Sequence, residues 1–132
     1  MKPTLIPGVT GEAQKRIVTE NLVSHHNPRG PAVLATPYLL MIMEWAAYNA
    51  IAPHLDEGED SVGVGFEFQH LAPTPAGATV IASATVTQIA GMMVTLDFEA
   101  HDGHEVVGRG THVRAVLDLA RFRRRLERKF GR

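Results

Sequence analysis

Apolar residues crowd into two regions of the chain, and the two regions have different periods. Between Pro31 and Pro53 they run almost without a break. Leu39, Leu40, Met41, Ile42, Met43, Trp45, Ala46, Ala47 and Ile51 surround a helical axis instead of forming one stripe. Thr36–Pro37 marks the start of this helix, with threonine as N-cap and proline at the first helical position. Pro53 ends it near Ala52. A helix that is apolar all round has to be enclosed. After the acidic loop LDEGEDS the pattern changes. Segments near 61–70, 78–89, 92–101 and 105–117 are rich in valine, threonine, isoleucine and phenylalanine. Turn signals separate them: PTPAG at 73–77, Gly91, and HDGH at 101–104. That pattern predicts a meander of antiparallel strands. Residues 16–24, RIVTENLVS, predict one more strand, 25–31 a loop, and 118–130 a terminal amphipathic helix.

About five antiparallel strands and one enclosed helix have a simple solution. The sheet curves around the helix in a two-layer α+β arrangement, the hotdog architecture, with an ordinary α+β sandwich as the alternative. The 132 residues fit a single domain spanning 1–132, long enough to bury a core without staples.

Composition narrows the function. The chain has no cysteine, which excludes disulfides, thiolate nucleophiles and cysteine metal clusters and suits a reducing cytoplasm, the expected location. The N-terminal residues lack the apolar core of a signal peptide. The long apolar stretch carries Glu44 near its middle, a costly feature for a membrane span, so no membrane partner is expected. The net charge of −1 conceals an asymmetry: residues 121–132 hold seven arginines and lysines against Glu127. No zinc finger, RNA-recognition signature or set of stacking aromatics accompanies these charges, so no nucleic-acid partner is expected. Solvated helix charges are the simpler reading.

Glu44 is the only charged side chain between Arg29 and Asp56. A carboxylate among apolar residues has to be paired or put to use. Thr36 lies eight residues earlier, about 80° around the helix and about 12 Å along it. The two cannot bond directly, so a third group or a substrate has to stand between them. A helix start also presents free N–H groups to a developing oxyanion. His70 ends the segment SVGVGFEFQH, and an imidazole there suits general-base work near neutral pH. Arg114, in RGTHVRAV, suits either a structural pair with Glu44 or an anionic ligand. Gly63 and Gly65 leave room for a close backbone or ligand approach. The other histidines (25, 26, 54, 101, 104 and 112) show no zinc spacing. No metal and no organic cofactor are expected.

Three segments in combination carry a resemblance: VLATPYLLMIMEWAAYNAIAPHLDEGEDSVG, HLAPTPAGATV and AHDGHEVVGRGTHVRAV. Over residues 33–122 the chain resembles the fluoroacetyl-CoA thioesterase branch of the hotdog thioesterases. The resemblance implies hydrolysis of an acyl-CoA thioester. It places the catalytic threonine on Thr36, the glutamate on Glu44 and the histidine on His70. It also places the active-site glycine on Gly63 and the ligand-binding arginine on Arg114. Threonine would attack the carbonyl, histidine would carry the proton, and glutamate would orient the histidine or help activate water. The fluoroacetyl-selective member has a longer segment with lid phenylalanines before the threonine. Here that segment is HHNPRGPAVLAT, which holds none. The expected substrate is therefore a short acyl-CoA without fluorine selectivity.

Two other readings stand beside this one. Glu44 alone serves as base or nucleophile, or the fold is a non-catalytic acyl-CoA sensor. A hydratase ranks last, because the Asp-to-His spacing at a helix start is absent. Open strand edges predict a homodimer, or a dimer of dimers, with sites near the subunit interface.

Overall fold

The computed structural model describes residues 1–131. Five antiparallel strands form one sheet in the order β1-β3-β4-β5-β2. They are β1 (Thr10–Arg16), β2 (Glu59–His70), β3 (Thr79–Ala90), β4 (Met93–His101) and β5 (Val106–Asp118). A one-turn helix α1 (Val23–His26) precedes the long helix α2 (Thr36–Ile51), which a 3-10 turn at Ala52–His54 extends. Helix α3 (Leu119–Phe130) follows β5. The curved sheet wraps α2, which is the hotdog fold expected from the sequence.

The core lies between the sheet and α2. Leu39, Ile42, Met43, Ala46, Ala47, Ala50 and Ile51 of α2 are buried. They meet alternate residues of β3 (Val80, Ala82, Ala84, Val86) and β4 (Val94, Leu96, Phe98, Ala100), also buried. Each large apolar side chain enclosed in this way contributes roughly 1.5–3 kcal/mol relative to exposure. Small residues set the separation of the layers. A Cβ at Gly11 would strike the α2 backbone at Ala46 and Ala50, and one at Gly108 would sit 3.0 Å from Leu39 and Met43 side-chain atoms.

The enclosure is incomplete, contrary to the expectation from the apolar helix. Trp45 and Tyr48 reach the surface, and on the neighbouring edge strand Val62, Val64 and Phe66 are 41%, 56% and 51% exposed. Residues 16–24 also depart from expectation. The strand lies earlier, at Thr10–Arg16, and Thr19–Asn21 forms a 3-10 turn. The Asn21 side chain accepts the Val18 N–H at 3.0 Å and closes this turn, a competition typical of asparagine.

Candidate active site

Two backbone hydrogen bonds around the turn after β2 bring distant residues together. The Leu34 N–H donates to the Thr74 carbonyl and the Leu71 N–H to the Val107 carbonyl, each at 2.8 Å. The first ties the segment entering α2 to the turn after β2, so the first residue of α2 meets the last residue of β2. Thr36 Oγ1 lies 2.9 Å from His70 Nδ1. The threonine is exposed and the histidine half-buried. Burial pushes the His70 imidazole below its ordinary value, and the polar backbone at Ala72 partly opposes this. His70 Nε2 is buried without a hydrogen-bond partner. A hollow of about 320 Å³ opens beside the pair, lined by Val23, Val33, Leu34, Thr36, His70, Leu71, Ala72 and Pro73. Its walls include the segment in which phenylalanines are absent.

Thr36 is not used as the helix cap. Ala35 occupies the N-cap position, and the Thr36 hydroxyl is engaged with His70. Few amides are free at this helix start. Pro37 has no N–H, and those of Tyr38 and Leu39 both donate to the Ala35 carbonyl at 3.0 and 3.3 Å. The Thr36 N–H is what remains for an oxyanion, fewer donors than the sequence suggested.

Glu44 stands in a second cluster. Its Oε2 accepts from Arg114 Nη1 at 3.2 Å and lies 3.8 Å from His112 Nε2. The Glu44 side chain is 38% exposed, while Arg114 and His112 are buried. Arg114 Nε donates to Ser61 Oγ and its Nη2 to the Ser61 carbonyl, both at 3.0 Å. The guanidinium also lies 5.6 Å from the centroid of the Tyr48 ring, within cation–π range. Burial lowers the Arg114 pKa, and the Glu44 charge opposes the shift; a guanidinium starts high enough to stay charged. Gly63 faces this cluster at a β-bulge between Gly63 and Gly65. A Cβ there would collide with Glu44 Oε2.

The structure therefore joins Thr36 to His70, and Glu44 to Arg114 and Gly63. It does not join Glu44 to His70 within the chain: the carboxylate bonds Arg114, and His70 bonds Thr36. The expected orientation of histidine by this glutamate is absent from the single chain. One buried participant escaped the sequence reading. His112 shares an inward-facing register with Arg114 and Val116 on β5, and that period-2 alignment with a conspicuous arginine was the available signal. A larger hollow, about 610 Å³, lies on the outer sheet face among Ser83, Thr85, Asp97, Glu99, Arg109 and Thr111. No hydrogen bond joins its hydroxyls to its carboxylates among the described residues, and Glu99 is paired with Arg109. Among the described residues no group of three or more histidine, aspartate or glutamate side chains is arranged to hold a metal ion, and no helix is long and apolar enough to cross a membrane.

A curved antiparallel sheet wrapped around one long helix is the hotdog fold, and comparison with known proteins places the chain among the thioester hydrolases of that fold. The profile of the fluoroacetyl-CoA-specific thioesterases matches residues 17–120. The chain is 39% identical over 99 residues to the fluoroacetyl-CoA thioesterase of Streptantibioticus cattleyicolor, spanning 75% of this chain and 71% of that protein. A solved structure of a fluoroacetyl-CoA thioesterase superposes with a TM-score of 0.86 at 33% identity, over 95% of this chain and 97% of that one. A Thermus thermophilus hypothetical protein of the thioesterase superfamily superposes with a TM-score of 0.85 at 29% identity over 100% of both chains. A hot-dog-like protein from Thermanaerovibrio acidaminovorans gives 0.87 at 27% identity, over 99% of this chain and 95% of that one. This chain belongs to the fluoroacetyl-CoA-specific thioesterase family.

Proposed function

We propose that the protein hydrolyses a short acyl-CoA thioester at the Thr36–His70 pair. The observation that carries this reading is the 2.9 Å contact between Thr36 Oγ1 and His70 Nδ1, the reach a general base needs toward its nucleophile. His70 with its proton on Nε2 accepts the Thr36 O–H. As that proton moves to Nδ1, Oγ1 attacks the thioester carbonyl. Collapse of the tetrahedral intermediate breaks the carbon–sulfur bond, and the imidazolium returns the proton to the departing thiolate. Water, deprotonated by the same imidazole, then attacks the acyl-threonine. This releases the carboxylic acid and restores the hydroxyl. No metal or organic cofactor enters the scheme.

The hollow beside the pair favours a small acyl group. Its walls are Val23, Val33, Leu34, Leu71 and Ala72, aliphatic side chains without the aromatic lid expected of a fluoroacetyl-selective site. No hydrogen bond joins Glu44 or Arg114 to His70 among the described residues of one chain. The exposed β2 edge, with Val62, Val64 and Phe66, is suited to pairing with a second copy. A homodimer formed there would set the Glu44–Arg114 cluster of one subunit near the Thr36–His70 pair of the other.

A second mechanism has its own support. Glu44 is separate from His70, partly open to solvent, and lies against a glycine that clears space before its carboxylate. These features suit a carboxylate acting alone as base or nucleophile. A panel of acyl-CoAs assayed with a thiol reagent tests the function. Thiol release with turnover is expected for a short acyl chain. Saturable binding without release identifies a sensor and ends the hydrolase reading.

A further inference from the structure

His112 is a fully buried titratable side chain that the proposed chemistry leaves unused. Both of its ring nitrogens have partners. Nδ1 lies 2.9 Å from the Gly65 carbonyl, which can only accept, so Nδ1 carries a proton. Nε2 lies 3.2 Å from Arg114 Nη1, which can only donate, so Nε2 presents a lone pair. The two contacts together leave a neutral ring of one defined tautomer. Its plane is fixed as well: Phe98 of β4 stacks on it at 5.4 Å with 9° between the rings.

Each contact ends on something that shapes the site. Arg114 Nη1 is shared between His112 Nε2 and Glu44 Oε2, both at 3.2 Å. The Gly65 carbonyl belongs to the bulge that turns Gly63 toward Glu44. Bulges beside sites re-aim the residues around them. The charged and titratable groups around the ring are Glu44 from α2 and Arg114 from β5, with Asp60 of β2 and Tyr48 of α2 standing beyond the guanidinium.

We infer that His112 is a positioning residue for the Glu44–Arg114–Gly63 cluster, its Nε2 lone pair holding the guanidinium while its Nδ1–H, bonded to the Gly65 carbonyl, fixes the tautomer that presents that lone pair. The inference rests on the proposed function only in assigning this cluster to the reaction. The tautomer and the two contacts are independent of it.

Two isosteres separate the two contacts. His112→Asn keeps an N–H near the position of Nδ1 and loses the acceptor facing Arg114. His112→Gln reaches the position of Nε2 with a carbonyl oxygen that accepts from Arg114, and loses the donor to Gly65. The glutamine variant is expected to keep kcat within about threefold of wild type. The asparagine variant is expected to lose about 10- to 100-fold in kcat, as a slightly misplaced group does. KM for the acyl-CoA should change little in either. A merely structural role predicts that both variants lose activity in step with their melting temperatures, and that result overturns the inference. So does wild-type kcat in the asparagine variant. Imidazole nitrogen NMR of the unaltered protein tests the tautomer without any activity. A neutral His112 protonated on Nδ1 at pH 7 is expected, and a ring protonated on Nε2, or on both nitrogens, rejects the assignment even if thiol release fails.

Discussion

Thr36 and His70, 34 residues apart in sequence, meet at 2.9 Å because the start of a helix and the end of an edge strand are tied to the same turn. The Thr36 hydroxyl is thereby spent on a histidine and not on its own helix. This removes a structural excuse for the residue. A threonine that caps a helix contributes about 0.5–2 kcal/mol; this one makes no such bond.

Thr36→Ala should therefore lower turnover by about 10²-fold or more, the scale of a lost catalytic group, with a melting temperature close to wild type. Thr36→Ser should keep most of the activity because the hydroxyl survives. Thr36→Asn, which lacks a hydroxyl nucleophile, should behave like alanine. Steady-state kinetics and thermal melts on the same preparations check this. An asparagine variant with normal turnover would transfer the mechanism to Glu44.

As the proposed general base, His70 should set the pH dependence. A general base works in its neutral form, and burial lowers the His70 pKa from its ordinary 6.5. The rate should hold on acidification through pH 6.5 and fall only below it, and His70→Ala should lower turnover by about 10²–10⁴-fold. Burial lowers His112 as well. For both residues the unfolded chain takes up its proton at a higher pH than the folded one. Stability should therefore be full above pH 6.5 and decline as the pH drops below it. A kcat/KM profile and melts across pH 4–8 test the two statements. An acid limb above pH 6.5 contradicts the first, and a rise in stability on acidification contradicts the second.

Glu44 distinguishes the mechanisms. Glu44→Gln keeps the shape beside Gly63 and an acceptor for Arg114 but removes the charge. With the Thr36–His70 pair as the reacting centre, this variant should retain measurable turnover, well above that of Thr36→Ala. Abolished activity in Glu44→Gln, with Thr36→Ala near wild type, selects the carboxylate mechanism.

The long helix and the four later strands were legible because burial wrote them into the sequence, but their order was not: only β3, β4 and β5 run as the expected meander, while β2 crosses over to pair with β5. The apolar run from Leu39 to Ile51 and the alternation in 79–90 and 93–101 both describe side chains enclosed between layers. The first strand was not legible. Gly11 and Ala13 face α2, so no valine or isoleucine marks the inward side, and pairing with β3 supplies what local propensity lacks. Ile17 and Leu22 are buried, yet as flanks of a turn, which is why 16–24 imitated a strand. Within the site, residue types identified Thr36, Glu44, His70, Gly63 and Arg114 as chemically interesting. Spacing along α2 showed that Thr36 and Glu44 stand apart. It could not show that His70 joins one and Arg114 the other, since that follows from strand register and a turn contact.

The division of the site into two clusters predicts complementation between subunits. Thr36→Ala and Glu44→Ala, each impaired alone, should regain activity when co-expressed and purified as a mixed dimer. One of the two sites then receives an intact Thr36 from one chain and an intact Glu44 from the other. Sedimentation should give about twice the chain mass at micromolar concentration. A mixed dimer no more active than its parents places the whole site in one chain, and a fully active monomer removes the interface from the chemistry.

The central claim is that the acyl group passes through Thr36, and a quenched single turnover tests it most directly. Protein in excess over a short acyl-CoA is stopped in acid at successive times, digested, and the peptide carrying Thr36 weighed. The account predicts a peptide heavier by the acyl group on Thr36, appearing with thiol release and decaying as the acid forms. The Thr36→Ala protein should form none. Complete release of thiol and acid with no acyl-Thr36 at any time, at a rate that Thr36→Ala matches, would contradict it.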